Sequence, residues 1–286
     1  MQAGLQYNFA LRDNDARLND VSGTQRYRQW NPRLGLLYKA SNSSEIFANL
    51  NRIFEPPSIA DLTAGGALDF TPLKSQTGWT GELGSRGQAS VFNWDISIYR
   101  SELRRELLKF GEPGTFGFVA FTENAGDTIH QGLELGLDTQ LLADRLGRVG
   151  HELIWRNVYT FNDFNFDNDP DFSDNDLAGV PRHVVISELR FEHVNGAYLA
   201  LNVRWIPRGQ WADFANTTRV PDYALLTVNT GFELSRNIDL YVSAENITDK
   251  RYISNVTTNA NQLEQNGQIF TPGQGRGVFA GLNFKF

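Results

Sequence analysis

Hydrophobic and polar residues alternate with a period of two along most of this chain, in segments of about ten residues. Between Gly132 and Leu141, Leu133, Leu135, Leu137 and Leu141 take one side, while Glu134, Asp138 and Gln140 take the other. Ile238, Leu240, Val242 and Ala244 likewise oppose Asp239, Tyr241, Ser243 and Glu245. Near the end, Val278, Ala280, Leu282, Phe284 and Phe286 oppose Phe279, Asn283 and Lys285. Successive side chains of a strand leave opposite faces, so each segment carries one apolar and one polar face, and a one-residue slip would carry charge to the apolar side. Leu133, Leu135, Leu137, Leu240, Val242, Leu282 and Phe284 are therefore expected to face lipid.

The pattern predicts about twelve strands, each long enough to cross a bilayer at a tilt. They run over 2–11, 32–40, 44–51, 76–85, 90–103, 130–142, 151–161, 183–191, 198–206, 223–234, 238–246 and 277–286. Short links at 40–43, 86–89, 143–150, 192–197 and 235–237 alternate with long ones at 12–31, 52–75, 104–129, 162–182, 207–222 and 247–276. An all-β, antiparallel, up-and-down transmembrane barrel sorts its connections in this way, with tight periplasmic turns and long outside loops. An even strand number places both ends of the chain on the periplasmic side.

Composition sharpens this reading. Cysteine is absent among the 286 residues, which excludes disulfides and thiolate metal sites. Aromatics at 12% and 26 glycines favour strands and turns. A net charge of −7 without a Lys/Arg cluster argues against a nucleic-acid partner. No apolar run reaches the length of a membrane-spanning helix, and the first residues lack the basic and apolar regions of a signal peptide, so an exported protein would have this start inside a longer precursor.

No enzymatic constellation is visible. His130, His151, His183 and His193 are widely spaced near strand ends, in no zinc-protease pattern, and no nucleophile elbow appears. No catalytic residue, metal site or cofactor is expected. The acidic stretch Asp163 to Asp176 lacks the spaced Gly and Glu of a calcium loop and reads as a solvated, partly mobile loop.

Several motifs occur in a definite order. Asn31-Pro32-Arg33-Leu34-Gly35-Leu36-Leu37-Tyr38 is followed by Phe54-Glu55-Pro56-Pro57-Ser58-Ile59-Ala60-Asp61-Leu62, then Asn124-Ala125-Gly126 with His130-Gln131-Gly132-Leu133-Glu134, then Gly179-Val180-Pro181-Arg182-His183. Glu245-Asn246-Ile247-Thr248-Asp249-Lys250-Arg251-Tyr252 and Pro272-Gly273-Gln274-Gly275-Arg276 lead to the closing Leu282-x-Phe284-x-Phe286. Read physically, Asn246 and Asp249 form Asx turns, Gly273 and Gly275 allow a tight re-entry, and the Pro56-Pro57 pair ends a strand. In this order the motifs resemble the C-terminal barrel part of TonB-dependent outer-membrane receptors, of the ferric siderophore or ferric citrate-like branch.

The resemblance covers nearly the whole chain. It implies that residues 1–286 supply the last strands of a barrel of about 22 strands, with the N-terminal plug and its TonB-contacting segment absent. Energy-coupled uptake of a metal chelate, foremost a ferric siderophore, is the implied function; a passive porin and a cobalamin receptor are the alternatives. Implied partners are outer-membrane lipid, the plug, TonB-ExbB-ExbD reached through that plug, the iron chelate, and the barrel assembly machinery, which would read Leu282, Phe284 and Phe286. Glu82, Asp95, Glu134, Asp138, Arg156, Glu188, Arg190, Glu192, Arg204, Glu233, Asp239 and Glu245 occupy the polar side of predicted strands and would face the plug or line an open porin. Chelate contact is expected of Arg52, Arg104, Arg105, Arg208, Trp211 and Arg219, with Phe116, Phe118 and Phe121 nearby. Solvated loop tips and an interfacial aromatic girdle are the competing reading of these residues.

Overall fold

The computed structural model describes residues 1–16, 21–63, 70–114, 117–142, 151–265 and 269–285. Its wall is a 12-stranded antiparallel sheet. In chain order the wall strands are β1 (Gln2–Ala16), β2 (Val21–Lys39), β3 (Ser44–Glu55), β4 (Gln76–Gln88) and β5 (Phe92–Arg104), followed after an excursion by β8 (Thr128–Leu142), β9 (Glu152–Phe166), β10 (His183–Glu192), β11 (Tyr198–Ile206), β12 (Tyr223–Ser235), β13 (Ile238–Glu245) and β16 (Gly277–Phe284). Two hairpins stand outside it, β6 (Leu107–Gly114) with β7 (Gly117–Asn124) and β14 (Ile253–Val256) with β15 (Phe270–Pro272). Two short helices, α1 (Ile59–Thr63) and α2 (Gln262–Gln265), lie in the long connections. Each wall strand pairs with the next wall strand in sequence, and β1 and β16 form the two edges.

All twelve expected strands are present. The register then sorts side chains rigorously. Leu133 lies opposite Ile98 and Phe161, Leu135 opposite Ile96 and Tyr159, and Leu240 opposite Phe232 and Leu282. Followed strand by strand, Leu133, Leu135, Leu137, Leu240, Val242, Leu282 and Phe284 share one face. Many large apolar side chains on that face stay open, among them Leu5 at 65% exposure, Leu83 at 51% and Phe284 at 54%. A continuous apolar surface of this extent is intolerable in water and natural against acyl chains.

Three expectations about the connections need correction. The link at 12–31 is mostly strand, because β1 continues to Ala16 and β2 begins at Val21. Above the bilayer a hairpin needs no apolar face, so the backbone ladder continues where alternation stops; Thr24 donates from its hydroxyl to Asp13 at 2.7 Å across this extension. The links at 104–129 and 247–276 each fold a hairpin of their own, whose Gly- and Pro-containing strands carry no period-two signal. The acidic stretch after Asp163 is tied down rather than loose: the Asp169 carboxylate accepts the backbone N–H groups of Asp171, Phe172 and Gly126, and Asp174 accepts that of Asn168. The link at 143–150, Phe116 and Phe286 lie outside the described residues.

The clustered buried core sits in the loops and the strand ends that enter them. Phe110, Phe166, Leu177, Ala178 and Phe214 pack together, joined by Phe121, Phe164 and Phe172. Phe166 is fully buried, with Phe172 and Phe214 ring centroids at 5.0 and 5.7 Å. A second cluster unites Ala212, Val220, Val256 and Ile269. Asp213, also fully buried, joins two loops: its carboxylate accepts the N–H groups of Thr217 at 2.8 Å, Thr218 at 3.2 Å and Gln262 at 2.8 Å, and the Thr217 hydroxyl.

Candidate functional site

On the face opposite the lipid, the register collects Glu82, Asp95, Glu134, Asp138, Arg156, Glu188, Arg190, Glu192, Arg204, Glu233, Asp239 and Glu245. Part of this charge is paired within the wall. Arg156 bridges Glu188 at 2.9 Å and Asp138 at 3.8 Å, Arg190 meets Glu192 at 2.5 Å, and Lys285 meets Asp239 at 2.9 Å and Glu233 at 3.9 Å. Another part is not. Among the described residues Glu82 accepts only the Asn49 amide, at 2.9 Å, and no cation pairs with Asp95 or Glu134. These three carboxylates line a concave cleft of about 800 Å³ that also carries Asn49, Arg86, Ser97 and Thr160. Carboxylates held at fixed spacing on a rigid sheet suit donors presented by a second body.

The six candidate ligand contacts fall into two separate groups. Trp211 and Arg219 come together at the rim, and Arg208 lies near enough for its charge to act on Arg219. The Arg219 guanidinium lies 3.6 Å over the Trp211 ring and donates to the Gly209 carbonyl at 3.0 Å. Trp211 donates its indole N–H to Asp176 at 3.1 Å, and Arg182 spans Asp176 at 3.1 Å and Asp163 at 2.5 Å. Burial lowers the Arg219 pKa from its ordinary value, reinforced by Arg208 and Arg182 and opposed by Asp176; a guanidinium in this setting stays cationic and gains from an anion. Trp211 also packs against the phenylalanine core, so the rim group is held firmly.

Arg52, Arg104 and Arg105 form the second group, in a cleft of about 530 Å³ with Thr77, Trp79, Glu102 and Asp127. Arg52 lies opposite Trp79, and Trp79 opposite Glu102, on the lipid-facing parity. Of the phenylalanines, Phe121 belongs to the loop core, and nothing is described for the side chain of Phe118.

Architecture explains most of the motif residues. Asn246, at φ 46°, accepts the Lys250 N–H and donates to the Lys250 and Gln274 carbonyls, while Asp249, at φ 53°, accepts the Arg276 N–H. Both take the left-handed backbone that Asn and Asp tolerate, but neither makes the expected Asx turn: Asn246 bonds four residues on, and Asp249 bonds across the loop to Arg276. Gly273 works differently from the expectation: its backbone is not left-handed, but a Cβ there would stand 2.1 Å from the Tyr252 ring. It is a packing glycine. The β3 strand ends at Glu55 before Pro56, and Pro57, fully buried, accepts the Arg12 guanidinium at 2.8 Å through its carbonyl.

Sequence reasoning missed three polar anchors of the loops. They are Asp213; Glu106, which accepts Thr128 at 2.5 Å and His130 at 3.0 Å; and Asp61, which accepts the Ser58 backbone and hydroxyl and the Thr122 hydroxyl. Ser58 followed by Asp61 is a capping box legible in the sequence; Glu106 bonds Thr128 and His130 across the loop, and Asp213 joins a local turn at Thr217 and Thr218 to the distant Gln262, separations that no local pattern reveals.

A family model described as "TonB dependent receptor-like, beta-barrel" matches residues 1–247. The chain belongs to that family. This TonB-dependent receptor barrel lies in the bacterial outer membrane, which it crosses with strands, and its family is one of receptors rather than enzymes. It is similar to the "Metal-pseudopaline receptor CntO" of Pseudomonas aeruginosa, 23% identical over 282 residues, which cover 97% of this chain and 36% of the relative. It is also similar to the "Ferrioxamine B receptor" of Salmonella typhimurium, 21% identical over 260 residues, covering 88% and 34%. The chain thus spans about a third of the length of these curated relatives. Among solved structures, the "ferric citrate transporter FecA" superposes with a TM-score of 0.75 at 18% identity, over 99% of this chain and 42% of that one. The "Copper transporter OprC" gives the same TM-score at 15% identity, over 99% and 45%. At such identities the superpositions establish the fold.

Proposed function

We propose that this chain is the C-terminal part of the barrel of an energy-coupled outer-membrane receptor that takes up a metal chelate, foremost a ferric siderophore. The observation that carries the reading is the cleft of Glu82, Asp95 and Glu134, whose carboxylates find so little cation within the wall. A charged plug seated inside the barrel would supply their partners, through direct ion pairs and bridging water. Further strands would continue the wall from β1 and β16, since unpaired strand edges in lipid are costly. An open porin would leave the carboxylates facing a channel. The charge-bearing inner face fits either, but membership in the receptor family favours the plug.

Coupling would run from the inner-membrane TonB-ExbB-ExbD complex through the plug, and the assembly machinery would read Leu282, Phe284 and Phe286 at the last strand. For the chelate, the Arg208–Trp211–Arg219 group offers two cations and an aromatic face at the rim, a combination suited to an anionic metal complex with an organic frame. Uptake of radiolabelled ferric siderophores into a receptor-deleted strain carrying the intact gene tests the proposal, with and without TonB. Accumulation that vanishes without TonB is expected; accumulation indifferent to TonB would replace the reading with passive passage. The 286-residue chain expressed alone behind a signal peptide is expected to give no TonB-dependent accumulation.

A further inference from the structure

The geometry points to a lipid-phosphate site on the outside of the wall, formed by Arg52, Arg104 and Arg105 around Trp79. Arg52 and Arg104 project from the same sheet face as Leu50, Leu83 and Ile98, and therefore toward the bilayer rather than the receptor interior. Both are exposed, as is Arg105, and Trp79 is 42% exposed between them. Arg52 stands over the Trp79 ring at 5.6 Å, and among the described residues no carboxylate pairs with it. Arg104 reaches Asp127 only at 4.0 Å, Arg105 donates to the Thr77 hydroxyl at 3.3 Å, and Glu102 is already engaged by Arg100 at 3.0 Å. The cleft keeps an excess of positive charge.

Its height is set by the strands. The apolar band begins at Leu50 on β3, two residues from Arg52, and at Leu83 on β4, four residues or roughly 13 Å from Trp79, and the long loops lie on the other side. An exposed tryptophan beside free guanidinium groups at that level meets the junction of acyl chains and headgroups. Guanidinium groups there bind phosphoryl oxygens in bidentate fashion. The occupant assigned is a phosphomonoester-bearing lipid of the outer leaflet, whose acyl chains continue down the apolar face. The inference rests on the outer-membrane placement and is independent of the chelate reading.

The intact receptor in detergent tests it, titrated with diphosphorylated lipid A, with the same lipid after enzymatic removal of its phosphates, and with inorganic phosphate. Preference for the phosphorylated lipid is expected to fall on the order of a hundredfold in an Arg52→Gln/Arg104→Gln/Arg105→Gln variant. Folding of that variant is checked by heat-modifiable gel mobility. An Arg208→Gln/Arg219→Gln variant is expected to keep the lipid preference. Undiminished preference in the first variant, or equal loss in both, overturns the proposal. Inorganic phosphate binding as tightly as the lipid, with the same loss in the first variant, overturns the assignment to lipid.

Discussion

The wall and the loop cap are held together by different physics. Side chains of the wall bury little: Leu5, Leu83 and Leu282 remain open on one face and Glu134 on the other. The wall depends on its backbone ladder and on the bilayer, where a broken backbone hydrogen bond has no water to turn to. The cap behaves like a small water-soluble domain, with Phe166, Ile206, Val220 and Asp213 almost wholly buried. Its parts come from distant stretches, as where Thr258 donates to the Lys109 carbonyl at 2.8 Å. One chain thus uses lipid as the apolar phase for its wall and its own phenylalanines as the apolar phase for its cap.

Perturbations should separate the two. The largest effect is expected from Phe166→Ala, which removes about 3–5 kcal/mol of packing from the cap; hydrogen exchange should rise across 105–127, 167–182 and 207–222 while the wall keeps its protection. Leu135→Arg is expected to cost the wall about 2–4 kcal/mol, read by urea titration of folding into vesicles, whereas Glu134→Ala should leave that titration nearly unchanged. Asp213→Ala should cost about 1–3 kcal/mol by orphaning buried N–H groups, seen as protease cutting within 207–222 and 246–276 of an otherwise folded barrel.

A smaller effect concerns acid. Burial acts to raise the Asp61 pKa, but hydrogen bonds from Ser58 and Thr122 and the charge of Lys109 outweigh it, so the carboxyl titrates below its ordinary 3.8. A depressed carboxylate contributes stability that is present above the unfolded value and is lost as pH falls through the folded one. Acidification below the ordinary value should therefore loosen α1 from the β6–β7 hairpin, and Asp61→Asn should abolish that pH dependence in exchange measurements on 58–63.

Legibility in the sequence follows the same division. The wall is legible because lipid on one side and polar contents on the other impose period two on every strand, and the parity of Glu134 against Leu135 follows from it. The hairpin at 12–31 is hidden because Asp13, Asn14 and Asp15 break the apolar alternation, while its inner side is covered only by a distant segment, where the Tyr27 hydroxyl donates to the Leu73 carbonyl. Residue type marks Arg208, Trp211 and Arg219, but the stacking of Arg219 on Trp211 depends on a turn anchored by Asp213, four to five residues before Thr217 and Thr218. Arg52 and Arg104 share that residue type, and the strand register places both on the lipid-facing side of the wall. Only the register, carried from strand to strand, separates an arginine that looks inward from one that looks at lipid.

The measurement that bears most directly on the two-faced wall is a cysteine scan of residues 133–138 in an intact receptor free of other cysteines, made simpler because this chain contains none. A nitroxide at each position, probed with membrane-dissolved oxygen and with a water-soluble nickel chelate, reports which phase it faces. The account predicts strict alternation, with 133, 135 and 137 accessible to oxygen and 134, 136 and 138 shielded from it. The opposite parity, or uniform access of the nickel chelate to all six positions, would contradict it.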